Sequence, residues 1–160
     1  MKYKEEIMNF KSFEDLIQFA IEKEKEAVVF YENAGTQEPY AGSKETFLEF
    51  AKEEKKHQAL LEGFLKGDKK LGDYKFKWVP DMKRSDYMVD LKYKKGMTYA
   101  ELLRLAMKRE EKALQLYNDL ASKSEKSELV KVFKMLSQEE AKHKLKLETI
   151  YDDYMAKMGD

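Results

Sequence analysis

The 160-residue sequence contains no cysteine, and this absence excludes several kinds of site. Without thiols the chain cannot form disulfides, bind zinc through cysteine, hold an iron–sulfur cluster or use a thiol nucleophile. Proline occurs only twice, and no stretch approaches the roughly 20 apolar residues of a membrane-spanning helix. The first residues also lack the apolar run of a signal peptide, so we expect a cytoplasmic protein that does not enter a membrane.

Neither sign of charge is in excess, because 31 Lys and Arg balance 31 Asp and Glu. A dedicated nucleic-acid-binding protein usually carries a basic excess, so no nucleic-acid partner is expected. Charged residues make up 39% of the chain, and with so little proline this composition indicates long helices with solvent-facing sides. Only two histidines are present.

The chain contains an internal repeat with an offset of 86 residues. Without any gap, residues Leu16–Glu62 align with Leu102–Glu148, and twelve aligned positions are identical where chance gives roughly three. The two histidines, His57 and His143, are one of these identical pairs. The repeat therefore predicts two copies of one structural unit.

Each repeat reads as a pair of helices. Ser12 and Thr98 are 86 residues apart, and each precedes an acidic residue by three positions, as in a capping box. Helical patterns follow from Ser12 to about Gly35, from Ser43 to about Leu65, from Thr98 to about Ser122, and from Ser127 to near Lys157. A turn-like stretch with Pro39 separates the first two patterns.

The stretch between the two hairpins, Gly67–Gly96, is long for a loop in a compact domain. It contains several apolar residues, Trp78 among them, which argues against a disordered linker. A crossover along a bundle would let the second hairpin enter from the opposite end. We therefore predict an all-α fold, a four-helix bundle of two helical hairpins joined by a long crossover, with residues 1–160 as a single domain.

Each predicted helix carries an apolar stripe interrupted by acids near its middle. The stripes follow alternating spacings of three and four residues, which is typical of helices packed in a bundle. The interrupting residues are Glu24 in the first helix, Glu54 and His57 in the second, Glu110 in the third, and Glu140 and His143 in the fourth. Residues three apart share a helix face, so each Glu-x-x-His presents both side chains to one point.

Four carboxylates in a bundle core would cost several kcal/mol each and repel one another unless cations compensate them. Four Glu and two His suit iron, manganese or zinc, and four carboxylates balance two divalent ions. One Glu from each of two helices with a Glu-x-x-His from each of the others is typical of ferritin-like di-iron and di-manganese bundles. We therefore predict these six residues as ligands of a di-metal centre, and the pattern leaves open which glutamates bridge.

Other residues near these stripes allow two interpretations. Tyr31 and Tyr117 follow Glu24 and Glu110 by seven residues, so each is either a hydroxyl that hydrogen-bonds a ligand carboxylate or an ordinary core tyrosine. Glu53 and its repeat equivalent Glu139 lie one step off the stripe, which favours exposed acids paired with lysines.

The motifs Glu24-x-x-Ala27-x-x-x-Tyr31, Glu53-Glu54-x-x-His57, Glu110-x-x-Ala113-x-x-x-Tyr117 and Glu139-Glu140-x-x-His143 resemble those of the rubrerythrin family of ferritin-like proteins. The resemblance covers residues 12 to 155 and implies two iron ions, with His57 and His143 each terminating one of them. Full-length rubrerythrins also carry a Cys-ligated rubredoxin domain. Because this chain has no cysteine, the resemblance implies an external electron donor such as a rubredoxin-like protein.

The sequence differs from the family pattern at Ala113. Rubrerythrins carry a further glutamate at this position, which takes part in a redox-linked iron shift. We expect a di-iron oxidoreductase that reduces peroxide or dioxygen, with manganese or zinc as other possible metals. The alternatives are an iron-handling protein of ferroxidase type without peroxide turnover, and a metal-free structural bundle. Ferritin-like chains often assemble, so a homodimer is expected.

Overall fold

The structure is a computed structural model that describes residues 13–37, 41–67 and 93–158. Four helices account for most of these residues, and no strand occurs among them. They are α1 (Phe13–Gln37), α2 (Ala41–Leu65), α3 (Tyr99–Lys123) and α4 (Ser127–Met158). The predicted all-α four-helix bundle is therefore confirmed.

The helices pair as the repeat predicts. α1 packs along α2, α3 packs along α4, and α1 also touches α3. Most of the predicted crossover and the expected cap Ser12 lie outside the described residues. None of the helices in the described part of the chain combines the length and apolarity needed to cross a membrane.

Capping is seen at two helix ends, and the one at Thr98 is the one that the sequence predicts. Thr98 Oγ1 accepts a hydrogen bond from the Glu101 amide at 3.2 Å, and the Glu101 side chain accepts one from the Thr98 amide at 3.0 Å, which completes a capping box. At the end of α2, Gly67 adopts a φ of 94°, and its amide bonds the Phe64 carbonyl at 3.2 Å. This left-handed conformation favours glycine just beyond a helix end.

The first helix extends two residues beyond the predicted end at Gly35, and α2 begins two residues before the predicted Ser43. Gly35 is buried inside α1, and a Cβ atom built there would lie 2.8 Å from Leu48 Cδ2. Its role is thus to allow close packing of α1 on α2. The sequence alone presents it as a turn residue, because glycine serves both purposes.

The bundle core consists of two apolar clusters at different levels. One contains Ile17, Leu61, Phe133 and their neighbours, and the other contains Phe47, Leu103, Leu147 and theirs. The predicted acids and histidines are absent from both clusters although they are buried. The core is therefore interrupted by a polar level between two layers of ordinary hydrophobic packing.

Candidate metal centre

The structure buries all six predicted ligand residues in the bundle. The four glutamates, one on each helix, are only 1–2% exposed, and the two histidines are 7% and 4% exposed. They are Glu24, Glu54, His57, Glu110, Glu140 and His143. Charged side chains are almost never buried to this extent without compensating partners.

These residues form two overlapping groups whose possible metal-binding atoms lie within 4.8 Å of one another. One group adds Glu24 and His57 to the glutamate pair Glu54 and Glu140, and the other adds Glu110 and His143 to the same pair. Sequence spacing alone could not separate shared glutamates from unshared ones. In the folded chain, Glu54 and Glu140 belong to both groups.

The shortest histidine–glutamate contacts within the groups join the two hairpins. His57 Nδ1 lies 3.2 Å from Glu140 Oε1, and His143 Nδ1 lies 3.1 Å from Glu54 Oε1. Within each Glu-x-x-His motif the corresponding separation is 3.7 Å. Because each histidine is nearest to the glutamate of the other hairpin, the cluster exists only when both hairpins are packed together.

Hydrogen bonding leaves one atom of every predicted ligand without a partner. The unpaired buried atoms include Glu24 Oε2, Glu54 Oε1, His57 Nδ1, Glu110 Oε2, Glu140 Oε1 and His143 Nδ1. An unsatisfied buried polar group costs about 1–3 kcal/mol, and more when it is charged. Oxygen and nitrogen atoms that converge without hydrogen-bond partners match what metal ions require of their ligands.

Electrostatics within the cluster oppose full ionisation of its glutamates. Burial first, and then the charge of Glu140, raises the pKa of Glu54 well above the usual range. Burial also raises the pKa of Glu140, with repulsion from Glu110 and Glu24 adding to it. These are the shifts expected when several carboxylates share a dry site.

The pKa values of Glu24 and of the two histidines shift in the direction that favours their charged forms. Burial, the largest single effect, disfavours ionised Glu24, but the combined contributions of His57, Glu54 and Tyr117 outweigh it and lower the Glu24 pKa. Burial likewise disfavours protonated His143, whereas its carboxylate partners, Glu110 and Glu53 among them, raise its pKa well above the usual value. In the metal-free protein, protons on histidine and glutamate thus offset the negative charge that bound metal ions would otherwise balance.

Two tyrosines cross the hairpin interface to these carboxylates. Tyr31 OH donates a hydrogen bond to Glu110 Oε1 at 2.5 Å, and Tyr117 OH donates one to Glu24 Oε1. Burial, followed by the nearby glutamate charges, raises the pKa of both phenols well above their usual value. Each tyrosine therefore stays protonated and fixes one glutamate of the opposite repeat.

The tyrosines also pack in equivalent surroundings. The rings of Tyr31 and Phe47 stack with centroids 6.1 Å apart, and Tyr117 stacks on Phe133 at 6.3 Å. Both partners in the second pair lie 86 residues after those in the first. The structure thus reproduces the sequence repeat in the surroundings of the cluster.

Glu53 differs from the sequence expectation of an exposed acid paired with lysine. Its carboxylate contacts His143 Nε2, and this hydrogen bond is the main reason why its pKa is lowered. Its equivalent Glu139 does pair with Lys142, at 2.7 Å. Spacing along one helix could not reveal a contact between residues 90 positions apart. The only sequence feature that sets Glu53 apart is that the repeat has glutamate at both equivalent positions, 53 and 139.

His143 is therefore held on both sides. Its Nε2 faces Glu53, while Nδ1 faces the cluster, and the Phe50 ring stacks on the imidazole with centroids 4.2 Å apart. A hydrogen bond to one ring nitrogen sets the tautomer and leaves the other nitrogen available to a metal. This arrangement suits a metal-ligating histidine.

A helical bundle with four buried glutamates and two histidines in overlapping groups has the architecture of a ferritin-like protein, and its cluster fits a di-iron site. The chain belongs to the rubrerythrin family, whose family model matches residues 15–151.

A solved structure with the same fold is that of a hypothetical protein from Pyrococcus furiosus. It is 28% identical in sequence, has a TM-score of 0.69, and the match covers 93% of each chain. No curated protein matches the sequence.

Proposed function

We propose that the protein is a di-iron carboxylate oxidoreductase that reduces peroxide or dioxygen with electrons from an external donor. The observation that supports this proposal best is the pair of overlapping ligand groups that share Glu54 and Glu140. Two adjacent ions held by common carboxylates suit reactions that need two electrons at one place. Iron supplies these electrons when it is bound, because it changes oxidation state readily where zinc does not.

The protein's own residues would hold and orient the centre. Glu54 and Glu140 would bridge, Glu24 with His57 would complete one position, and Glu110 with His143 would complete the other. The hydroxyls of Tyr31 and Tyr117 hold one oxygen each of Glu110 and Glu24, which leaves the second oxygen for metal. Hydrogen bonds of this kind limit the ways in which a ligand carboxylate can turn.

The site also offers space for a small substrate. A cavity of about 230 Å³ reaches the carboxylates between α1 and α3, and Ala27 and Ala113 contribute to its lining. This volume is below the roughly 300–1,000 Å³ typical of pockets for drug-sized ligands. A molecule of a few heavy atoms, such as peroxide or dioxygen, suits such a cavity.

Metal analysis tests the ligand set. Protein produced with iron should contain about two metal ions per chain, and His57→Ala and His143→Ala should each lower that content. The control is Lys55→Ala, because Lys55 is exposed on α2 and pairs with Glu32 at 3.0 Å outside the cluster. Equal metal content in the parent and both histidine variants would contradict the proposed site.

The reaction requires a second measurement. Anaerobic protein loaded with Fe(II) should be oxidised by added peroxide, which absorbance spectroscopy follows, and a chemical reductant should restore it for further turnovers. Oxidised iron retained at well above two ions per chain would favour the iron-handling alternative. Bound Fe(II) that does not react with peroxide or dioxygen would contradict the oxidoreductase proposal.

A further inference from the structure

The cavity that reaches the cluster has walls and a floor of different composition. Its walls come from α1 and α3, and its floor includes Glu54 of α2 and Glu140 of α4. The hydroxyl-bearing residues Tyr31 and Tyr117 also line it, whereas the two histidines do not. A molecule entering here would meet the carboxylate side of the centre.

The walls carry more positive than negative charge. Lys23, Lys108, Arg109 and Lys112 line the cavity, and Glu26 is the acid among its described lining residues outside the predicted ligand set. Glu26 pairs with Lys23 at 3.4 Å. Apart from the predicted ligands, four cationic side chains and one acidic side chain line the cavity, so its walls carry a net positive charge.

This charge comes mainly from a difference between the two repeats. On α1, the positions equivalent to Lys108 and Lys112 are Glu22 and Glu26. The α3 wall therefore has lysines where the corresponding α1 positions have acids. The repeats agree in their predicted metal ligands and differ in charge beside the cavity.

Arg109 adds to this field in a fixed position. Its guanidinium lies 4.7 Å from the centroid of the Phe30 ring, and its Nε is buried without a hydrogen-bond partner. A cation held against an aromatic face is pre-positioned. It keeps positive charge at the wall of the cavity.

The floor does not cancel this positive field once metal is bound. Four carboxylates and two divalent ions balance one another, so the cations of the walls dominate the potential that an incoming molecule meets. A cleft lined with one sign of charge attracts molecules of the opposite sign and repels those of the same sign.

We propose that this cavity is an anion-selective entrance, through which small anions reach the metal centre as ligands. The inference rests on the proposed di-metal centre and adds a class of ligand to it, because hydrogen peroxide and dioxygen are uncharged and are not selected by this field. It also implies that the cations of the walls slow the entry of free divalent metal ions, which is the opposite of what a path for iron uptake requires.

Azide titration of protein loaded with Co(II) tests this inference, because the visible absorption of Co(II) reports both metal loading and binding of the anion. The test variant is Lys108→Gln combined with Lys112→Gln. The control is Lys55→Gln combined with Lys146→Gln, since both lysines are exposed and neither lines the cavity. Both double variants lose two positive charges, so only their location differs.

We expect the azide Kd to rise about tenfold in the test variant at low ionic strength, and to change less than about twofold in the control. Co(II) uptake by metal-free protein should become faster in the test variant by a similar factor. The same substitutions should thus weaken anion binding and accelerate cation entry.

The outcomes separate the two proposals. Absence of a bound Co(II) spectrum in the parent would overturn the di-metal proposal and this inference together. A normal Co(II) spectrum, with azide affinity equal in the parent and in the test variant, would overturn the inference alone. A parallel loss in the test and control variants would also overturn it, because the effect would then follow from net charge.

Discussion

Replacing Glu54 by leucine separates two effects of a buried carboxylate: its cost to the metal-free protein and its contribution to metal binding. Glu54 is 1% exposed, and its Oε1 has no hydrogen-bond partner. Burial, followed by the charges of Glu140, Glu24 and Glu110, raises its pKa well above the usual range. Each of these causes is also a free-energy cost of the ionised side chain in the folded protein.

Leucine removes that cost at similar side-chain volume. Exchange of a buried ion pair for well-packed apolar groups is often neutral or stabilises a protein by about 1–4 kcal/mol, and Glu54 faces more carboxylates than histidines. Because the raised pKa of Glu54 favours its neutral, protonated form in the folded protein, protonation already relieves part of this cost. We therefore expect the metal-free variant to be about 1–2 kcal/mol more stable, which raises Tm by roughly 2–8 °C for a chain of this size.

Metal should reverse the order of stabilities. At a free metal concentration of about 100 times Kd, binding stabilises the parent by about 2.7 kcal/mol. Glu54 belongs to both ligand groups, so the variant should lose most of this gain. The variant should be more stable than the parent without metal and less stable with it.

Urea unfolding with and without Mn(II), which avoids oxidation during the measurement, tests this reversal. Glu49→Leu is the matched control, because Glu49 lies on the same helix and its side chain is 62% exposed. The control should respond to metal as the parent does. If the metal-free Glu54→Leu protein is less stable than the parent, or if metal stabilises both equally, the explanation of the buried carboxylates is wrong.

Three further predictions concern hydrogen bonding, pH and packing. Tyr31→Phe should destabilise the protein by about 1–3 kcal/mol in urea unfolding, because it leaves a buried carboxylate without its donor. Calorimetry should show the Tm of metal-free protein falling as pH rises through the raised pKa values of Glu54 and Glu140, since the folded state binds protons there more tightly than the unfolded state. Metal replaces those protons, so the metal-induced gain in Tm should increase with pH. Gly35→Ala should cost about 1–3 kcal/mol by overpacking against Leu48, although alanine favours helix, and shortening Leu48 to alanine in the same chain should recover part of that loss in urea unfolding.

The helices could be predicted from the sequence because their information is local. Apolar spacing and capping residues act within one or two turns, so the predicted helix bounds agree with the structure within a few residues. Gly35 shows the limit of this reasoning. Its place inside α1 depends on Leu48 of the neighbouring helix, which no pattern along α1 can reveal.

The site could be predicted in part for a similar reason. The helical stripe and the repeat identify which six residues share a level, and the structure brings them together; their role as ligands stays a prediction. Two features depend on contacts between hairpins and could not be predicted: the sharing of Glu54 and Glu140, and the contact of Glu53 with His143. Both require the relative placement of helices, which single-helix periodicity does not contain.

The two repeats share the residues predicted to bind metal and differ in charged residues beside the cavity. The six predicted ligands and the two tyrosines that hydrogen-bond them are identical in both halves, since each proposed metal position needs the same donors from each hairpin. Residues that only line the cavity need not match between the repeats. Lys108 and Lys112 on α3 correspond to Glu22 and Glu26 on α1. Because lysines 108 and 112 line the cavity, this difference changes what can reach the centre without changing the predicted ligand set. The symmetric part of the repeat thus accounts for the proposed di-metal centre, and its asymmetric part accounts for the positive charge that we expect to favour small anions as ligands.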